Sequence, residues 1–192
     1  MHVLIYLAGF LAFAAAAQAP IPCDAPDRLE AIIITLNTSE KIESRAHYTY
    51  DAIGRRERFV DEVNINDDKE NYDIIRLYNA GKEYRLNLKT KVCQSQQITH
   101  AWAAIQIPSS ATYYGEVSIG SLLSSNQVSA QMWGADTPGG RYSAVWTEKD
   151  CIPIQQILIS KHHGTVQTSY FDVLLGNQDP NVFIPPQECQ SV

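Results

Sequence analysis

The sequence predicts an all-β, antiparallel fold, built as a barrel or as two stacked sheets. Three observations carry that prediction. Period-two alternation of β-branched and aromatic residues recurs along the chain, helical periodicity is nowhere sustained, and turn signals separate roughly ten short runs. Widely spaced cysteines, four in all, add covalent bracing.

The chain opens on a leader. His2 through Ala17 carries no Asp, Glu, Lys or Arg, and it closes in Ala17-Gln18-Ala19, a small-x-small cleavage site. This reads as a secretory signal peptide over residues 1–19, cut after Ala17 or Ala19 and too short to span a membrane. Residues 20–192 form one domain, since no internal repeat, low-complexity block or composition shift divides them. Leu29 to Thr35 and Ser44 to Tyr50 read as strands, and Asp51-Ala52-Ile53-Gly54 turns the chain into Arg55 to Val63. The clearest hairpin runs from Tyr72 to Tyr78, through Asn79-Ala80-Gly81, and back along Lys82 to Thr90. In its return arm Tyr84, Leu86 and Leu88 share one face. Thr99 to about Ser125 reads as irregular. Strands resume at Gln127 to Trp133, turn at Asp136-Thr137-Pro138-Gly139-Gly140 into Tyr142 to Trp146, and continue at Ile154 to Ser160. His163-Gly164 leads into a last strand, Thr165 to Leu175, with Phe171, Val173 and Leu175 facing one way. The tail from Asp179 to Pro186 is too proline-rich for regular structure.

Composition excludes several functions. The net charge is −6 and no concentrated basic cluster occurs, which argues against a nucleic-acid partner. No second apolar run reaches spanning length, so the expected product has no membrane span. Behind a secretory leader the cysteines read as two disulfides, and four cysteines allow three pairings. CxxC spacing is absent, which argues against zinc. No Gly-x-Ser-x-Gly, HExxH or phosphate-binding glycine loop is present, so the chain is expected not to be an enzyme.

Among candidate sites, His162-His163 would need both rings on one ion, whereas neighbouring strand residues point to opposite faces. The acidic run from Asp61 to Glu70 offers hard oxygen ligands, with Asp61, Asn64, Asn66 and Asp68 as calcium candidates. It lacks the glycine and terminal glutamate of a helix-loop-helix site. Asn37-Thr38-Ser39 is a glycosylation sequon, provided Asn37 is exposed. The tryptophans and tyrosines fit either packing or the lining of a cavity enclosed by a curved sheet.

Pro22-Cys23-Asp24-Ala25-Pro26, Tyr78-Asn79-Ala80-Gly81 with Lys91-Val92-Cys93, Ser118-Ile119-Gly120 and Asp150-Cys151-Ile152-Pro153 together form a recognisable ordered set. So does the end: Phe171 to Gly176, Asp179-Pro180-Asn181-Val182-Phe183 and Pro185-Pro186-Gln187-Glu188-Cys189. Over essentially the whole mature chain this set resembles the ependymin-related family. The resemblance implies a secreted or lysosomal glycoprotein, usually a homodimer, whose two antiparallel sheets bend into a half-barrel around a hydrophobic pocket. That fold is similar to bacterial lipoprotein carriers. The family's bridges, carried to the matching positions, give Cys23–Cys151 and Cys93–Cys189. Vertebrate members carry a further cysteine pair, and a common family sequon falls near Ser109-Ser110-Ala111; this chain has neither.

The expected function is therefore a secreted, non-enzymatic protein that binds a lipid-like ligand in a β-sheet pocket. Apolar members of the alternating strands supply the pocket candidates: Tyr84, Leu86, Leu88, Trp133, Trp146, Phe171 and Val173. No cofactor is expected; the alternative is a structural component of extracellular matrix or mineral, for which the resemblance implies calcium association and cell–matrix adhesion.

Overall fold

A computed structural model describes residues 19–65, 68–123, 125–160 and 164–190. Five strands come first: β1 (Arg28–Asn37), β2 (Ile42–Asp51), β3 (Arg56–Ile65), β4 (Asp68–Leu77) and β5 (Lys82–Asn87). A short β6 (Cys93–Gln97) follows, and then β7 (Thr112–Ile119) and β8 (Val128–Thr137). The last three are β9 (Gly140–Thr147), β10 (Pro153–Ser160) and β11 (Gly164–Leu175). All eleven belong to one antiparallel sheet ordered β6-β5-β4-β3-β2-β1-β11-β10-β9-β8-β7, with β6 and β7 as its two open edges. The all-β antiparallel expectation is met by a single continuous sheet that does not close.

Short hairpins explain most of that order. β1 to β6 form one meander, and β7 to β11 form a second. Residues 98–111 carry the chain from one edge to the other with no strand of their own. The seam between meanders is the β1–β11 pair, running from Leu29↔Leu175 to Asn37↔Val166. Both disulfides also join one meander to the other. Cys23 bonds Cys151 with Cα atoms 6.3 Å apart, and Cys93 bonds Cys189 at 5.3 Å.

Three expectations need correction. The segment read as irregular contains β7, whose alternation is broken at Gly115, where the register to β8 shifts. The edge strand β6 was not expected, because Gln94-Ser95-Gln96-Gln97 has no β-branched or aromatic residue to signal it. Phe171 and Val173 do not share a face. The β1–β11 register jumps between Glu30↔Leu174 and Ile32↔Phe171, so an extra residue sits opposite Ala31, and Asp172 takes φ 50° to make that bulge.

The hairpin turns follow their residues more closely. Tyr78–Ala80 forms a 3-10 turn closed by Gly81, in left-handed conformation at φ 64°, whose N–H donates to the Tyr78 carbonyl. Gly140 opens β9 so close to the Ile159 carbonyl of β10 that no Cβ fits.

Register places residues directly opposite one another on the same face, and the two faces hold different cores. One face carries Leu29, Ala31 and Ile33 of β1, Ala46, Tyr48 and Tyr50 of β2, Trp133 of β8, and Ala144 and Trp146 of β9. Residues 23–25 and 102–111 cover this aromatic cluster. Tyr170 of β11 and Phe59 of β3 pack on this one cluster despite two intervening strands, and residues of β2 join it with those of β8 and β9. The sheet therefore bends toward this face, which is the concave one.

Among the described residues, the C-terminal tail covers the other face over β3 to β6. Ile75 and Leu86 lie buried there with Phe183 and Cys189. The tail's start reaches β1, where the Gln178 amide donates to Glu30. Arg58 grips Asp73 through both carboxylate oxygens at 2.8 and 2.7 Å and donates to the Val182 carbonyl at 2.7 Å. The Arg56 guanidinium lies 4.3 Å from the Phe183 ring centroid. Its Nε donates to the fully buried Asp51 at 2.8 Å, and the Gly54 amide donates to the same carboxylate at 2.9 Å.

Two outcomes follow from this bracing. The Cys93–Cys189 bridge spans 96 residues, and closing a loop of that order is worth about 4–5 kcal/mol in chain entropy. The Cys93→Ser/Cys189→Ser double variant should therefore unfold at markedly lower denaturant, measured by tryptophan fluorescence. Burial pushes the Asp51 carboxyl up, but the Gly54 amide and the Arg56 and Arg28 guanidiniums outweigh it and hold it below its ordinary value. Its stabilisation is complete above the unfolded value of about 4 and fades as pH falls through the lower folded value. Asp51→Asn should lower stability at neutral pH and flatten the acid limb of a stability–pH curve.

Candidate functional site

The concave face is built in rungs across the sheet. Leu29 of β1, Tyr50 of β2, Glu57 of β3, Arg76 of β4, Glu83 of β5 and Gln96 of β6 lie in one register row. Apolar character gives way to charge along that row, and each charge is answered. Tyr48 donates to Glu57 Oε1 at 2.7 Å, and Tyr78 donates to Glu57 Oε2 at 3.2 Å. Arg76 Nε meets Glu83 Oε2 at 2.7 Å, and Gln96 donates to Glu83 Oε1 at 2.7 Å. Burial, with Glu57 adding, pushes the Tyr48 phenol well up and the Tyr78 phenol to about 12. Both therefore stay neutral donors, which suits them to holding a buried carboxylate.

Residues 98–111 lie over this row as a strap. Trp102 stacks on Tyr50 with ring centroids 5.4 Å apart and meets Tyr78 edge-on at 4.9 Å. The Ile105 amide donates to Tyr50 Oη at 3.1 Å. Backbone bonds from Ala25 to Ile105 and from Ile107 to Cys23 zip the strap to the N-terminal segment. Beneath it Trp133 and Trp146 are almost fully buried. The Trp146 indole donates to Tyr142 Oη at 3.0 Å, whereas Trp133 Nε1 is buried without a hydrogen-bond partner.

Beyond the strap the concave face stays apolar but is uncovered. Tyr142 of β9, Leu158 of β10 and Val166 of β11 form one rung there, with Leu158 44% exposed. On the opposite flank, over β4 to β6 and the β5–β6 loop, lies a cleft of ≈ 800 Å³ whose lining includes Tyr72, Arg85, Asn87, Val92, Gln94 and Gln96. Its guanidinium packs on an aromatic face, with Arg85 Cζ 4.0 Å from the Tyr72 ring centroid.

The structure does not bring the sequence-derived pocket candidates together. Trp133, Trp146 and Val173 belong to the concave core, where the first two are packed on all sides. Tyr84 and Leu86 pair with Ile75 and Asp73 on the opposite face, and Phe171 pairs with Ile32 there and is 48% exposed. Leu88 lies just past β5, half-buried. Face assignment depends on phase across eleven strands, and a bulge or a missed edge strand resets that phase. The residues that sequence reasoning missed are Leu158, Val166 and Glu57; Trp102 and Tyr78 fall among the aromatic residues that fit packing or a cavity lining, without being singled out as pocket candidates. Glu57 and Trp102 carry no local motif, and the motif around Tyr78 signals a turn, not a site.

The acidic run behaves similarly. Asp61 and Asn64 are three apart on β3 and so point to opposite faces; Asn66 and the side chain of Asp68 lie outside the described residues. Among the described residues no group of three or more His, Cys, Asp or Glu side chains is placed to hold a metal ion. His162 and His163 also lie outside the described residues. Asn37 ends β1 only 8% exposed, its Oδ1 accepting from the Ser39 and Glu40 amides at 3.1 Å. Its carboxamide is turned into the hairpin turn and away from solvent.

Burial pushes the Asp61 carboxyl up, against the Ser44 hydrogen bond and the Arg85 charge, and its Oδ1 has no hydrogen-bond partner. A carboxyl raised in the folded state destabilises wherever it is ionised. Asp61→Asn is accordingly expected to raise stability at neutral pH, with the gain vanishing below about pH 4 in denaturant titrations.

Comparison with known proteins fits this architecture. The chain is 32% identical over 185 residues to mammalian ependymin-related protein 1 of Rattus norvegicus, covering 94% of this chain and 82% of that one. It is 25% identical over 183 residues to ependymin-2 of Oncorhynchus mykiss, covering 93% of this chain and 82% of the relative. An uncharacterized conserved protein from Thermus thermophilus shares the fold with a TM-score of 0.55 at 11% identity, over 86% of this chain and 89% of that one. The ependymin family model matches residues 66–189. With that match and the whole-length likeness to the rat protein, the chain belongs to the ependymin family.

Proposed function

We propose that this protein is a secreted, non-catalytic carrier that holds a lipid-like ligand against the concave face of its open sheet. The observation that carries this reading is the uncovered apolar rung of Tyr142, Leu158 and Val166, continuous with the aromatic cluster under the strap. Moving a ligand's apolar surface from water onto that rung gains about 25 cal/mol per Å², before ordering costs. The polar cleft around Arg85, Asn87, Gln94 and Gln96 then supplies hydrogen-bonding groups for the ligand's polar end. Burial raises the Tyr142 phenol to about 12, partly offset by the Trp146 indole, so it offers a neutral hydroxyl beside the apolar chain.

Two disulfides fit an oxidising compartment, and among the described residues no helix is long and apolar enough to cross a membrane. Secretion rests on the leader read in residues 1–19, of which 1–18 lie outside the described residues. The homodimer implied by the family resemblance would use the convex face, where Ile32, Phe171, Leu174, Ile157 and Ile159 form an apolar strip.

Native mass spectrometry of the purified protein, followed by organic extraction, should release a co-purifying lipid. Leu158→Asp should weaken binding of a fluorescent long-chain fatty acid about tenfold or more while leaving the unfolding midpoint close to wild type. Wild-type protein that carries no lipid and binds no fatty acid would remove the carrier reading.

A further inference from the structure

The loop between β7 and β8 presents the most exposed apolar residues of the sheet's ends. Leu122 is 78% exposed and Leu123 is 99% exposed, side by side at the tip. The neck is pinched: a Cβ on Gly120 would stand 3.4 Å from the Asn126 carbonyl oxygen. Below the neck Ile119 and Val128 pair directly across β7 and β8, each more than 40% exposed (43% and 45%). Among the described residues of the loop, Leu122 and Leu123 are therefore an apolar pair above apolar shoulders. The loop stands at the end of the strands opposite Asn37, because β7 ends and β8 begins at the end where β1 begins.

Charge sets the partner. Residues 117–135 contain no Asp, Glu, Lys, Arg or His. The neighbouring β9–β10 turn, whose Glu148 amide donates to the Ser129 carbonyl, carries Glu148, Lys149 and Asp150, a net negative charge that disfavours an anionic surface. Nothing in the loop attracts a charged surface or fixes an orientation against one. Two adjacent leucines also present far less area than the roughly 1,000 Å² that a specific protein–protein contact needs. A bilayer needs no complementary shape, since its acyl region deforms around an inserted side chain. We propose that this loop docks the protein on a neutral lipid surface, inserting Leu122 and Leu123 into the boundary between headgroups and acyl chains while the strands stay outside.

The contact is weak and reversible, because a single short apolar anchor binds membranes only marginally. A protein that visits a membrane to collect or deliver lipid would use such a reversible contact, with the rung of Tyr142, Leu158 and Val166 held at the far, Asn37 end of the strands. This last role rests on the carrier reading above, whereas the docking itself does not.

The test is flotation of the full chain with phosphatidylcholine vesicles, with and without added sodium chloride. Wild type should bind, with no loss at high salt, and Leu122→Ser/Leu123→Ser should bind about a hundredfold more weakly, near tenfold per leucine. Thermal unfolding of the double variant should match wild type, since both side chains are exposed, and a fold change would send the test to Leu122→Gln alone. The proposal is overturned if wild type fails to float, if the variant floats equally, or if binding appears only when anionic lipid is added. Native mass spectrometry on the same samples separates the two readings. A variant that retains lipid but loses vesicles supports docking alongside carrying, and a wild type that binds vesicles but holds no lipid leaves docking intact while the carrier reading falls.

Discussion

The pairing of β1 with β11 is what makes this chain one sheet instead of two. Every other strand pair joins neighbours in the chain through a hairpin or a short loop, where the loop-closure cost is small. β1 and β11 meet across most of the sequence, and their formation merges the two meanders. Two devices secure that seam. The apolar row of β1, with Leu29, Ala31 and Ile33 on the concave face, already meets Tyr50, Tyr48 and Ala46 of β2, and it gains Leu175 and Tyr170 on its other side when β11 pairs. Cys23–Cys151 and Cys93–Cys189 then tie each meander to a segment of the other, which lowers the entropy released if the seam opens.

Because the sheet stays open, its faces must be managed separately. A lone sheet of this width has more apolar surface than it can hide by itself, and two irregular segments take up part of the task. The strap of residues 98–111 and the N-terminal segment cover the aromatic cluster, while the tail through Phe183 and Cys189 covers the convex side of β3 to β6. Each cover is held by a few directional contacts at its margin: Trp102 on Tyr50 for one, Arg58 on Asp73 and the Val182 carbonyl for the other. What the covers leave bare includes the apolar surface of β10 and β11 on both faces, with Leu158 on one and Ile159, Phe171 and Leu174 on the other. That surface is where a ligand or a second copy gains the most by desolvation.

Electrostatics divide the concave face along its length. Glu57, Arg76, Glu83 and Gln96 are mutually satisfied, so the charged flank costs little despite partial burial. Asp61 is the exception, carrying an unpartnered oxygen beside the Arg85 cleft. The result is an aromatic centre with an aliphatic flank over β9 to β11 and a polar flank over β4 to β6.

The antiparallel β class, most strand positions and the Tyr78–Gly81 turn were legible in the residues alone. These depend on local facts: two-residue periodicity, and residues that tolerate positive φ. Likeness to a family, carried by segments along the whole chain, supplied the cysteine pairing. Which face each strand presents, and with it the candidate site, emerged only in three dimensions. Gly115 and Asp172 each shift the phase of their strand, β6 is too polar to announce itself, and the strap's partners lie some fifty residues before it at Tyr50. Face, cover and convergence are properties of the register between strands, which no single segment of sequence contains.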